Sequence, residues 1–164
     1  MNTLPIDRNA LLIRAPMLRR ALISGARRVI KHRDFLNKIN VFPVPDGDTG
    51  SNMAFTLGNV LSGALNRRAH STGELLRRVS EHAVDGARGN SGAILAQFFT
   101  GVSERIGTSP IASLEQMAQA IRHGADTARQ ALSEPKEGTI LSVITAFAAS
   151  LQTDSRGFHF RHWF

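Results

Sequence analysis

Apolar residues recur at helical spacing along almost the whole chain, and that periodicity confines the fold to packed helices. Alternating, strand-like runs are nearly absent. The short Val41–Val44 stretch is broken by Pro43 and Pro45. The pattern predicts six helices. The first runs from about Pro16 to Lys38, with Leu18, Leu22, Val29, Ile30 and Leu36 inward and Pro16 in its first turn. The others are expected at about 51–65, 73–86, 90–106, 113–132 and 138–152. Ser113 and Gln116 are spaced as a capping box for the fifth. The 164 residues suit one domain, and 42% hydrophobic content allows it a core, built from aliphatic side chains because aromatics are only 6%.

The connections fall into two kinds. The turns at 66–72 and 107–112 are plain and polar, whereas 40–50, 86–92 and 133–139 carry glycines and chemically active side chains. If neighbouring helices run up and down, connections one, three and five share a rim. The three loaded loops are those connections, so parity alone gathers them at one end and leaves the plain turns at the other.

In the first loaded loop, Asn40-Val-Phe-Pro-Val-Pro-Asp46-Gly-Asp48-Thr-Gly50-Ser-Asn52, two prolines stiffen the approach to two carboxylates. Carboxylates so close repel, and a divalent cation relieves that repulsion. Hard oxygen donors on a tight loop suit magnesium, which keeps waters and substrate phosphates as its other ligands. The helix that follows offers free N–H groups and a positive dipole end to phosphate. A solvated Asp-Gly turn with an ordinary N-cap is the competing reading. An EF-hand is a poor alternative: counting from Asp46, the glycine stands at the wrong position and Leu57 occupies the place of the bidentate Glu.

The second loop, Gly86-Ala-Arg88-Gly89-Asn90-Ser91-Gly92, permits close backbone approach at the start of a helix. It ends in neither Gly-Lys-Ser nor Gly-Lys-Thr, so it is no Walker A loop, and no strand precedes it as a dinucleotide fingerprint requires. A glycine-ended helix followed by a plain cap stays open as its reading. The third loop, Glu134-Pro-Lys-Glu-Gly138-Thr139, reads alone as a helix–helix turn.

Composition removes other chemistries. There is no Cys, which excludes disulfides and thiolate catalysis, and the six His show no metal-ligand spacing. No Ser-His-Asp arrangement is visible. No apolar run reaches the roughly 18 residues a membrane span needs. The net charge of +7 comes largely from paired arginines such as Arg19-Arg20, Arg27-Arg28 and Arg67-Arg68. These fit a solvated helix face, and attraction to nucleotides, lipid head groups or nucleic acid stays open. No nucleic-acid recognition motif accompanies them.

Three segments together resemble the DAK2, or dihydroxyacetone kinase L-domain, family: Asn37-Lys-Ile-Asn-Val-Phe-Pro-Val-Pro-Asp-Gly-Asp-Thr-Gly-Ser-Asn-Met53, Gly86-Ala-Arg-Gly-Asn-Ser-Gly92 and Glu137-Gly-Thr-Ile-Leu141. Within that family the sequence is most similar to the ATP-binding subunit of bacterial fatty acid kinase. The resemblance implies an all-α, up-and-down helical barrel over 14–152, incomplete at its C-terminus and followed by a non-matching tail, 153–164, that holds Phe158, Phe160, Trp163 and Phe164. It implies ATP and Mg2+ at one rim. Asp46 and Asp48 would be catalytic metal ligands, with Asn40 a weaker third. Thr49, Gly50, Ser51, Asn52, Asn90 and Ser91 would hold phosphates, and Gly138 and Thr139 would lie near the nucleotide.

The implied reaction is phosphoryl transfer from ATP to a fatty acid carboxylate presented by a fatty-acid-binding partner. A dihydroxyacetone-type kinase subunit and an inactive nucleotide-binding fragment are the alternatives. Activity of this chain alone stays open, as does a homodimer. A cytoplasmic location, no nucleic-acid partner and no stable membrane insertion are expected.

Overall fold

The computed structural model describes residues 12–153. Strand β1 (Leu12–Arg14) leads into α1 (Ala15–Lys31) and the short α2 (Arg33–Lys38). Then come α3 (Thr49–Asn59), extended by a π-helical turn over Val60–Ala64, α4 (Thr72–Asp85) and α5 (Gly89–Ile106). Strand β2 (Ile111–Ser113), α6 (Leu114–Gln130) and α7 (Ile140–Thr153) complete the order. The architecture is the expected helical bundle. The aromatic residues of the 153–164 tail lie outside the described residues.

Each helix forms where its apolar stripe and end signals coincide. Pro16 sits in the first turn of α1. Ser71 caps α4 by accepting the Glu74 amide, and α4 buries Leu75, Leu76, Val79 and Ala83 on one face. Ser113 and Gln116 form the anticipated capping box on α6. Glycine sets how closely α5 and α6 approach. A side-chain carbon at Gly101 would overlap Thr127, and one at Gly124 would press on the Phe98 carbonyl and Val102. The main core lies among α1, α3, α4 and α5, around Val60, Leu65, Leu75, Val79 and Phe99. A second cluster joins α5, α6 and α7 through Ile94, Ala125, Ala128, Leu141 and Ile144. Helix α7 leaves Val143 and Phe147 exposed on its other side.

The structure departs from the periodicity in three places. The first helix breaks at His32, whose φ of −97° and ψ of 15° redirect α2. Neither proline nor glycine marks that break. The second helix ends in a π turn, so the 51–65 stretch is not uniformly α-helical. The third departure is the strand pair: Leu12, Ile13 and Arg14 lie opposite Ser113, Ala112 and Ile111 in antiparallel register.

That pair belongs to a densely bonded end of the bundle, where the two plain turns meet. The Thr72 hydroxyl donates within reach of both the Ile13 and Pro110 carbonyls, and the Thr72 and Gly73 amides donate to Pro110 and Ser109. Arg78, 5% exposed, threads the 64–68 turn and donates to the carbonyls of Ala64, Arg67 and Arg68. Arg19 donates to the Leu65 carbonyl from the other side.

Candidate functional site

The opposite rim is assembled from the three glycine-bearing loops. The first is held by two asparagines. The Asn37 amide oxygen accepts the Ser51 backbone N–H at 2.9 Å, and its nitrogen donates to the Ser51 hydroxyl at 2.8 Å. The Asn40 oxygen accepts from both the Thr49 backbone N–H (3.2 Å) and the Thr49 hydroxyl, while its nitrogen donates to the Val44 carbonyl at 2.8 Å. Redirection of α2 at His32 carries Asn37 to the start of α3. Gly50 lets the segments close: a side-chain carbon there would overlap the Arg33 carbonyl and Leu36.

This arrangement frees the carboxylates. Asp48 occupies the N-cap position of α3, yet its side chain makes no capping bond. The capping work falls to Asn37 and Asn40 instead. Asp46 and Asp48 are both exposed, and neither pairs with a cation among the described residues. An ordinary Asp N-cap would spend its oxygens on backbone amides. The free N–H groups expected at this helix start are partly used, because the amides of Thr49 and Ser51 already have side-chain acceptors.

The second loop interlocks with α3 through its glycines. Side-chain carbons at Gly86, Gly89 and Gly92 would overlap Asn59, Asn52 and Thr56 in turn. Gly89 also has φ +56°, a left-handed conformation that suits glycine. The Arg88 amide lies 3.4 Å from the Thr56 hydroxyl oxygen that accepts it, and the Arg88 guanidinium carbon stands 3.9 Å from the centre of the Phe55 ring. Ser91 is buried, and its hydroxyl donates to the Thr49 carbonyl at 3.2 Å. Asn90 is exposed at the first turn of α5. The first two loops thus form one surface, with Thr49 and Asn52 against the Gly89–Ser91 segment and Gly50 and Ser51 against α2.

The third loop reaches this surface through an apolar contact. Gly138, with φ +80°, lies under Phe42: a side-chain carbon there would sit 3.4 Å from the ring. The Thr139 hydroxyl donates to the Lys136 carbonyl at 2.9 Å and accepts the Leu141 amide, so it caps α7. Glu137 accepts from Ser142 and Arg129, and those bonds, the serine's first, hold its carboxyl below the usual glutamate value. Parity therefore gathered the right three loops.

Several contributors carried no signal of their own in the sequence. Asn37, Thr56 and Asn59 position the loops, and Phe42 bridges the first to the third. A helical register drawn for α3 would have placed Asn52, Thr56 and Asn59 on one face, at spacings of four and three. Around the acidic loop Phe35, Ile39, Val41, Phe42 and Val44 are all exposed, Val41 by 72%.

The donor set is open rather than enclosed. Among the described residues no group of three or more His, Cys, Asp and Glu side chains gathers around a common point. Two exposed carboxylates, with hydroxyl and amide oxygens nearby, match a cation that takes most of its ligands from water and phosphate. Asn40 could join such a set only by releasing Thr49.

The DAK2 domain description matches residues 43–163. Proteins described as uncharacterized from Staphylococcus saprophyticus and Staphylococcus haemolyticus are each 42% identical over 122 residues, 74% of this chain. A further one from Staphylococcus epidermidis is 40% identical over the same length. The chain spans only 22% of the length of these relatives.

Proposed function

The chain belongs to the DAK2 domain family, a kinase-related, nucleotide-binding family, and from that premise we propose that its glycine-loop rim binds ATP with magnesium and serves phosphoryl transfer to a fatty acid carboxylate. The observation that carries the reading is the pair Asp46 and Asp48, exposed at the start of α3 and relieved of capping by Asn37 and Asn40. Asp46 and Asp48 would hold magnesium, which supplies charge neutralisation on the nucleotide phosphates. Thr49, Gly50, Ser51 and Asn52 of the first loop, with Asn90 of the second, line the phosphate side. Ser91 fixes Thr49 from below through its backbone carbonyl. Gly138 and Thr139 border the nucleotide from the third loop.

In the transfer, a carboxylate oxygen of the acid forms a bond to the γ-phosphorus as the bond from that phosphorus to the β–γ bridging oxygen breaks. ADP leaves and an acyl phosphate forms. A carboxylate is already an anionic nucleophile, so no general base is required, and positioning with charge neutralisation carries the reaction. Phe35, Ile39, Val41, Phe42 and Val44 beside the acidic loop favour an acceptor delivered on an apolar carrier over a small polyol.

The test is calorimetric titration of ATP and magnesium into the wild-type chain and the Asp46→Ala and Asp48→Ala variants. Both variants are expected to lose magnesium-dependent binding while keeping their helical circular dichroism. Undiminished affinity in both would remove the metal-ligand assignment. Acyl phosphate formation with a fatty-acid-loaded binding protein, measured against glycerone as acceptor, then separates the fatty acid reading from a dihydroxyacetone-type kinase.

A further inference from the structure

The plain-turn end of the bundle carries a feature that fold stitching leaves unexplained. A cavity of about 380 Å³ opens there between the start of α1 and the 66–71 turn, lined by Ala15, Pro16, Arg19, Arg20, Arg68 and Ala69. Among the described residues that line it, three are arginines and none is acidic. Among the described residues neither Arg20 nor Arg68 pairs with a carboxylate. Arg19 uses one terminal nitrogen on the Leu65 carbonyl, but its Nε is shielded from solvent and has no acceptor. The first turn of α1 adds to the deficit: Arg14 at the N-cap makes no side-chain capping bond, and no acidic residue follows in that turn.

We propose that this cavity is a binding site for a phosphate monoester, separate from the nucleotide rim. Guanidinium groups match phosphate oxygens in geometry and charge, and an anion held among three of them offsets the repulsion that each imposes on the others. Ala15, Pro16 and Ala69 leave the remaining wall small and apolar, which suits the esterified portion of the ligand. The same chemistry is presented by a soluble phosphorylated metabolite and by the head group of phosphatidic acid. The site does not depend on the kinase reading. It also gives a specific use to part of the chain's +7 charge.

The experiment is run with a chelator present, which silences magnesium-dependent binding at the other rim. Inorganic phosphate and pyrophosphate are titrated calorimetrically into the wild-type chain, the R20Q/R68Q double variant and an R27Q/R28Q control that removes equal charge elsewhere on α1. In parallel, phosphatidylcholine vesicles with and without phosphatidic acid are sedimented with each protein. Arg20 and Arg68 are exposed, so their replacement is expected to leave thermal unfolding unchanged. The cavity variant should lose at least about tenfold in affinity, as charge-assisted bonds would require, and the control should keep its own. Binding of soluble phosphate alone identifies a metabolite site, and binding of phosphatidic acid vesicles alone a lipid site. In the wild type, pyrophosphate should also protect Arg19, Arg20 and Arg68, but not Arg27 and Arg28, from phenylglyoxal modification read by mass spectrometry. Absence of binding to every probe, or equal loss in the control, overturns the proposal, as does uniform protection of all five arginines.

Discussion

At one end of the bundle Thr72 and Ala112 are fully buried and Arg78 is 5% exposed, while at the other Asp46, Asp48, Phe42 and Val44 face solvent. The buried end is built from the turns with the least distinctive sequence. There a hydroxyl, a guanidinium and two backbone amides meet carbonyls of other segments. The exposed end is built from the most distinctive sequence, and there the asparagines bind backbone so that the carboxylates need not. The distinctive residues thus stand mostly in the exposed loops, and the buried contacts are made by unremarkable ones.

The comparison breaks most sharply at Arg78. Replacing it with Met leaves the carbonyls of Ala64, Arg67 and Arg68 without their donor, and a loss of about 3–5 kcal/mol is expected in urea unfolding. A loss below about 1 kcal/mol would show that the plain rim is not what holds the fold. Next in size is Gly89→Ala, which combines an unfavourable left-handed φ with overlap on Asn52. It should cost about 2–3 kcal/mol, and ATP–magnesium binding should weaken with it, because the second loop can no longer seat on α3. Retained affinity would uncouple the two loops.

Asn37→Ala sharpens the contrast from the other side. It removes one capping acceptor and one donor, so stability should fall by only about 0.5–2 kcal/mol. Nucleotide affinity should fall by a larger factor than this, since Ser51 is freed and Asp48 can turn inward to cap. Equal effects on folding and binding would reduce Asn37 to a structural residue. The smallest effect concerns Glu137. Its carboxyl is held below the ordinary value by Ser142 and Arg129, so the stabilisation is present at neutral pH and fades as pH falls through that lowered value. Against wild type, Glu137→Gln should flatten this acid limb of the stability curve slightly while leaving neutral-pH nucleotide binding nearly unchanged.

Much of this architecture is legible from residue patterns because helix formation is local. The stripe Leu75, Leu76, Val79 and Ala83 requires no knowledge of its partner to be read, and Ser113 with Gln116 announces a helix start within four residues. Chain parity needs only a count of helices, and it placed the loaded loops together. The break at His32 is not legible, because the local sequence around it is good helix; what turns α2 is its docking on α3. The β1–β2 pair is hidden for a related reason. Three-residue strands carry no period, and Leu12–Arg14 extends only because Ile111–Ser113 offers it an edge. In the site, the acidic pair Asp46 and Asp48 stands out in the sequence, whereas the bonds of Asn40 to Thr49 and Val44 do not. An asparagine's partner is decided by geometry that composition does not contain.

The strand pair also bears on how the chain is made. Leu12 meets Ser113 across about a hundred residues, so the start of α1 is clasped only after β2 has left the ribosome. At ordinary rates of synthesis that delay lasts about 5–20 s. Until then α1 through α5 can pair with near neighbours, but the end that closes the bundle stays open. The interval is long compared with helix formation and short compared with synthesis of a protein several times this length. The clasp is therefore a late event in the assembly of this region and an early one in the emergence of a chain as long as those of the relatives.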